Sequence, residues 1–251
     1  MKSKISIVSL LLPWYRIDQS QISLLDNNVF QVREDTRRLR RSAIAAGCFV
    51  GLIWLIWLIQ FVFDLDLRQF GVYPREPDGL IGILTAPLIH GSFKHVFSNT
   101  LPAFILGTAF LYGYPKSATL GMPAIYIGSG LGVWLFARSS YHIGASGLNY
   151  GMMFFLFVSG ILRRDRLSIA ISLIVFFLYG SMVWGIFPVE PGVSFESHLF
   201  GAVMGTSLAI VLRKRDPAQM KKQYDWEDER EDIEDQSQPE NGDTSRSDTC
   251  R

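Results

Sequence analysis

Cysteine is nearly missing from this sequence. Cys48 lies in an apolar stretch and Cys250 stands beside the C-terminal residue, a placement that excludes a disulfide framework or a thiolate metal site. An excess of charge is missing too: a formal net charge of +1 over 251 residues fits neither a basic nucleic-acid binder nor a disordered polyelectrolyte. Histidine is scarce, and His90 and His95, five residues apart, have the wrong spacing for two metal ligands on one helical face. No internal repeat of about 20 to 50 residues stands out. Above all, charge is absent from long stretches of the chain. Nearly all of it lies in the first 41 residues, in short interruptions, and after Leu212, which excludes a soluble globular protein.

What fills the gaps is apolar. Six segments run from Ser42 to Phe63, His95 to Tyr114, Ser117 to Phe136, Ile143 to Leu162, Leu167 to Phe187, and Val193 to Leu212. A bilayer core of about 30 Å needs about 20 helical residues, so each is long enough to cross. Lipid offers no water to unpaired backbone groups, so the spans are predicted to be helices, with Pro102 and Pro123 tolerated where helices pack. The period-two pattern of a membrane barrel is absent. The expected fold is an all-α membrane protein with a bundle of six transmembrane helices.

Basic residues set the expected orientation. Arg37, Arg38, Arg40 and Arg41 precede the first span, Lys116 lies between the second and third, Arg163, Arg164 and Arg166 follow the fourth, and Arg213, Lys214 and Arg215 follow the sixth. All fall on one side if the spans alternate, while Arg68, Arg75 and Arg138 are the sparse basic residues of the other. Both termini are therefore expected in the cytoplasm. The chain divides into a cytoplasmic N-terminal segment (1–41), a six-span domain (42–212) and an acidic cytoplasmic tail (213–251). Lys2 and Lys4 followed by Ile5 to Leu12 faintly resemble a signal peptide, but the run is short, ends at Pro13 and lacks a small-residue cleavage pattern. From Tyr224 onward the composition predicts disorder.

Polar groups inside a bilayer are costly, so their presence in spans points to function. Three clusters stand out: His90-Gly-Ser-Phe-Lys-His95-Val-Phe-Ser-Asn99, Gly144-Ala-Ser146-Gly147, and Glu-Ser-His198-Leu-Phe-Gly201-Ala-Val-Met-Gly205. Each opens an even-numbered span, and even-numbered spans all begin at the same membrane face. Ser146, His198, His95 and Asn99 are thus expected at one shallow depth. Serine needs a base to become a nucleophile, and histidine, with a pKa near neutrality, suits that role. His95 and Asn99, four apart on one helix face, could direct a ring N–H and an amide N–H to a developing oxyanion, with the backbone N–H of Ser146 as a third donor. No carboxylate is well placed to orient His198. Tyr150, four residues after Ser146, could pack on the imidazole instead. Gly144, Gly147 and Gly151 at and within the fourth span, with Gly201 and Gly205 on the sixth, are expected to let the two helices approach closely. Ser129, Ser159, Ser172 and Ser181 are read as helix packing.

Taken together, His90/His95/Asn99, Gly144 to Gly147 and His198/Gly201/Gly205 resemble the motifs of the rhomboid intramembrane proteases, over roughly residues 42–212. The resemblance implies a Ser146–His198 dyad, an oxyanion site of His95, Asn99 and the Ser146 backbone, Tyr150 stacked on His198, and His90 as a structural residue. It implies membrane proteins, often single-span, as substrates, sideways access from the bilayer near the fifth span, and no metal or organic cofactor. Many relatives carry Trp-Arg before the first motif histidine where this chain has Ile81-Gly82, which leaves open how its long first loop is anchored. The turn Pro188 to Gly192 is expected to act as a mobile cap over the site. Two other readings use the same residues. One is a non-proteolytic rhomboid-like protein that binds membrane clients; the other is a small transporter whose histidines relay protons, which would spread polar residues across the bilayer depth.

Overall fold

The computed structural model describes residues 19–189 and 192–216, with side-chain surroundings from residue 29 onward. Six principal helices follow one another: α1 (Gln19–Val62), α2 (Phe93–Gly113), α3 (Pro115–Phe136), α4 (Ser146–Arg163), α5 (Arg166–Tyr179) and α6 (Phe195–Val211). Among the described residues no strand forms beyond one isolated antiparallel bridge, Val72 with His142. The chain is an all-α membrane bundle. Helices α1, α2, α3 and α5, the last with its 3-10 continuation Gly180–Ile186, are long and apolar enough to cross a bilayer, and α6 is a shorter apolar helix. Helix α4 is the central one, with Leu148, Met152, Phe155 and Leu156 all buried. The outside is apolar, as lipid requires: Phe61, Phe136 and Phe177 are each at least 70% exposed.

Most apolar segments become helices near their expected ends, and the differences have local causes. Helix α1 starts at Gln19, so the first helix continues far into the segment read as a separate N-terminal piece. Helix α4 starts at Ser146 rather than Ile143, because Gly144 takes φ +105°, a conformation a helix cannot contain. Gly144 therefore belongs to the loop before α4, a correction to its reading as a helix-packing glycine. Helix α6 starts at Phe195 rather than Val193, because the Ser194 side chain accepts the backbone N–H of Ser197 and caps the helix. The fifth span is α-helical only to Tyr179 and then tightens into a 3-10 helix through Gly180–Ile186.

The face carrying most of the basic residues is closed by backbone capping. The chain beyond α6 folds back so that the Asp216 carboxylate accepts the N–H groups of Lys116 (2.8 Å) and Ser117 (3.0 Å) at the start of α3. Asp165 caps α5 in the same way through Ser168. Burial opposes its charge, but the bonds from Ser168 and Arg163 outweigh burial and hold its carboxyl below the usual range. Residues 213–216 are thus part of the folded body rather than of a loose tail. The tail reading from Tyr224 onward and the reading of residues 1–18 lie outside the described residues.

On the opposite face the long first loop is fastened to the α3–α4 turn without the Trp-Arg pair. Val72 and His142 exchange both backbone hydrogen bonds (3.0 and 2.9 Å), and the Gly144 N–H donates to the Ala86 carbonyl at 2.8 Å. The Arg75 guanidinium donates to the Ala137 carbonyl, and the Trp134 indole donates to the Glu76 carbonyl, both at 2.9 Å. Val72, Ala86, Val133 and Ala137 form a small buried cluster beneath these bonds. Phe70 and Leu80 are exposed at the surface of this loop.

Helices α4 and α6 pack through glycine. A β-carbon on Gly201 would collide with the Gly147 carbonyl, and one on Gly205 with the Gly151 carbonyl. Without a hydrophobic drive between helices in lipid, such close backbone approach is how dispersion holds them together. Gly201→Val should destabilise the bundle by ~1–3 kcal/mol through overpacking, read as a lowered thermal transition in detergent. Gly51→Val, at a glycine on α1 with nothing within 4 Å, should leave that transition unchanged.

Candidate active site

The glycine contact carries the start of α4 to the start of α6. Ser146 is the first residue of α4 and is half-buried; its neighbour Gly147 lies where an added β-carbon would be 3.1 Å from the carbonyl of Ser197, the residue before His198. The serine and histidine motifs, 52 residues apart in sequence, are therefore joined one residue away from each key side chain. No side chain caps the start of α4, since the N-cap residue is Ala145. The first N–H groups of that helix have no carbonyl partner within it, and they lie at the positive end of its dipole.

His198 is held on two sides. Its ring stacks on Tyr150 with centroids 4.0 Å apart and planes 4° from parallel. Its Nδ1 lies 2.8 Å from the Gly185 carbonyl oxygen. A carbonyl can only accept, so Nδ1 carries the proton and, in the neutral ring, Nε2 keeps a free lone pair. Gly185 lies in the 3-10 segment after α5, and an added β-carbon there would collide with the Tyr150 hydroxyl and lie 3.2 Å from His198 Nδ1. Sequence reasoning found Tyr150 but missed Gly185, because a backbone carbonyl leaves no mark on residue type. Only the glycine itself, at the end of an apolar span, hinted at a close approach.

His95 reaches the same region from α2. An added β-carbon on Gly144 would lie 2.5 Å from His95 Nε2, which puts that nitrogen against the loop just before Ser146. His90 is buried behind it, with ring centroids 4.8 Å apart, and its carbonyl accepts from Gln60 of α1. Asn99 is buried, and its amide N–H donates to the His95 carbonyl at 3.0 Å within its own helix. Its Oδ1 accepts from Asn149 of α4, also at 3.0 Å. His95 and Asn99 lie four residues apart on α2, and one Asn99 N–H is already used by the helix. Asn149, a fully buried amide three residues after Ser146, was overlooked in the sequence; its signal was the cost of an amide inside a span. Ser129, assigned to packing, donates to the Tyr126 carbonyl at 3.2 Å and lies beside Gly147. Among the described residues no group of three or more His, Cys, Asp or Glu could hold a metal ion.

Residues 77–215 match the Rhomboid domain family, a stretch that contains every motif residue named above. Relatives described only as uncharacterized proteins occur in Mycobacterium tuberculosis and Mycobacterium bovis, each 37% identical over 173 residues, covering 65% of this chain and 72% of the relative. Another, in Mycobacterium leprae, is 33% identical over 190 residues, covering 71% of this chain and 75% of its own. A match of that extent, on a helical membrane bundle whose three polar motifs converge, means that the chain belongs to the rhomboid family.

Proposed function

We propose that this rhomboid-family protein is an intramembrane serine endopeptidase that hydrolyses peptide bonds in or beside the transmembrane segment of single-span membrane proteins. The observation that carries the reading is the state of His198. Stacked on Tyr150 and tied at Nδ1 to the Gly185 carbonyl, it keeps Nε2 as a free base beside the start of α4. A binding module has no need of a histidine constrained in tautomer and plane.

In this mechanism His198 Nε2 takes the proton of the Ser146 hydroxyl, and Ser146 Oγ attacks the scissile carbonyl. The uncapped N–H of Ser146, His95 Nε2–H and the remaining N–H of Asn99 stabilise the oxyanion. His198 then protonates the leaving amine, and water cleaves the acyl-enzyme with His198 again as base. Tyr150 and the Gly185 carbonyl do the orienting work that an aspartate does in a triad. Gly147, Gly201 and Gly205 act by letting backbones approach, and Gly144 by leaving room for the His95 ring. No cofactor takes part. Two of the residues in the proposed cap, 190 and 191, lie outside the described residues.

The same reading places residues 42–212 as the catalytic body in a bacterial inner membrane, with the Arg-rich ends of the helices in the cytoplasm and the site opening to the other side. The partners are the bilayer and membrane-protein substrates, with no nucleic acid.

Cleavage of a reporter single-span protein in liposomes tests the assignment. Wild type should cut it, and Ser146→Ala and His198→Ala should fall to background; equal cleavage by all three would sink the protease reading. Gly185→Ala should lower kcat on the order of 10-fold, about 1.4 kcal/mol of barrier, because the methyl group displaces Tyr150 and the His198 ring. An unchanged kcat would mean that the Gly185 carbonyl does not orient the base.

A further inference from the structure

Outside the dyad lies a second polar cluster, built on the third histidine of the chain, His142. His142 is 3% exposed and is fixed in the α3–α4 turn by its two backbone bonds to Val72. Its Nε2 is 3.0 Å from the Arg138 carbonyl, which can only accept, so Nε2 carries the proton. Nδ1 of the neutral ring is then an acceptor, and the Ser194 hydroxyl donates to it at 2.6 Å. Ser194 Oγ in turn accepts the Ser197 N–H at 3.3 Å and the Ser197 hydroxyl at 2.8 Å. With Nε2 protonated, the Ser140 hydroxyl oxygen 3.3 Å from it also accepts, and the bonds run in one direction from Ser197 through Ser194 and His142 to Arg138. Burial keeps the His142 imidazole below its ordinary range, with the Arg138 charge acting the same way and the Arg138 carbonyl and Glu196 opposing; the neutral form matches this chain of donors.

The Arg138 side chain closes the loop. Its guanidinium donates to the Val193 carbonyl at 2.7 Å and lies 3.5 Å from the Glu196 carboxylate. Val193, Ser194 and Glu196, at the start of α6, are thus bound to the turn that leads into α4. His142 precedes Ser146 by four residues, and Ser194 precedes His198 by four. The His142–Ser194 bond therefore links the two chain segments a short step outward from the glycine contact at Gly147.

Taking the protease reading as given, we infer that His142 and Ser194 are positioning residues for the dyad: their hydrogen bond fixes the start of α6, and with it His198, relative to the start of α4 and Ser146. Neither touches the reacting atoms. The glycine contact sets how close the helices lie, and this bond sets their offset along the bundle axis, which glycines without side chains do not specify.

The test is reporter cleavage by His142→Ala, Ser194→Ala, the double variant and Ser194→Thr, with kcat and KM separated. Displacing a base by about 1 Å costs on the order of 10- to 100-fold, so each alanine variant should lose that much kcat while KM stays within about two-fold. The double variant should be no worse than the worse single, because the two residues share one bond. Ser194→Thr keeps the hydroxyl and should stay within about three-fold of wild type. Alanine variants with full kcat, losses that multiply in the double variant, or a change confined to KM would overturn the inference. If the alanine variants fail to fold, histidine tautomers in wild type decide it by 15N NMR. Nε2 protonated and Nδ1 bare at His142 supports the bond; the reverse tautomer removes it. A wild type that cuts no reporter would instead refute the protease reading and leave the tautomer at His142 to be read independently.

Discussion

The contact on which the rest of the structure depends is backbone against backbone, Gly147 with Gly201 and Gly151 with Gly205. Two helices in lipid gain nothing from expelling water, so they associate only where atoms meet closely over a length of helix. Here that length begins at the polar ends of α4 and α6. Any side chain larger than hydrogen at Gly201 would force the two apart at the level of Ser146 and His198. Helix α4 can afford this central place because it is buried along most of its length, with Met152, Phe155 and Leu156 facing protein rather than lipid.

Around that contact, polar side chains are satisfied largely by backbone carbonyls. His198 donates to Gly185, Asn99 to His95, His142 to Arg138, and Ser129 to Tyr126. An unpaired polar group is expensive at low dielectric, and carbonyls freed by loops and 3-10 turns are the available partners. In the proposed mechanism, function and stability use the same bonds. The carbonyl that satisfies the buried Nδ1 of His198 also sets its tautomer, so no carboxylate need be buried to orient the base.

The six apolar segments and their order were legible in the sequence because lipid requires long uncharged runs, and the three polar clusters stood out against them. Ends were less legible. Gly144 could be read as packing or as loop, and only its positive φ decides between them. The capping role of Ser194 depends on where the chain arrives from, which hydropathy does not report. Tyr150 was accessible through its spacing from Ser146, whereas Gly185 contributes a carbonyl that any residue possesses. The partners of His142 lie 52 residues away at Ser194 and 70 residues away at Val72, beyond the reach of local pattern.

The central claim is that Ser146 is a nucleophile made reactive by His198. The direct measurement is covalent labelling of the protein in liposomes by a fluorophosphonate, with the modified peptide identified by mass spectrometry. The account predicts one adduct, on Ser146, formed by wild type and lost in His198→Ala. Labelling that ignores the loss of His198, or that falls on another serine, would contradict it.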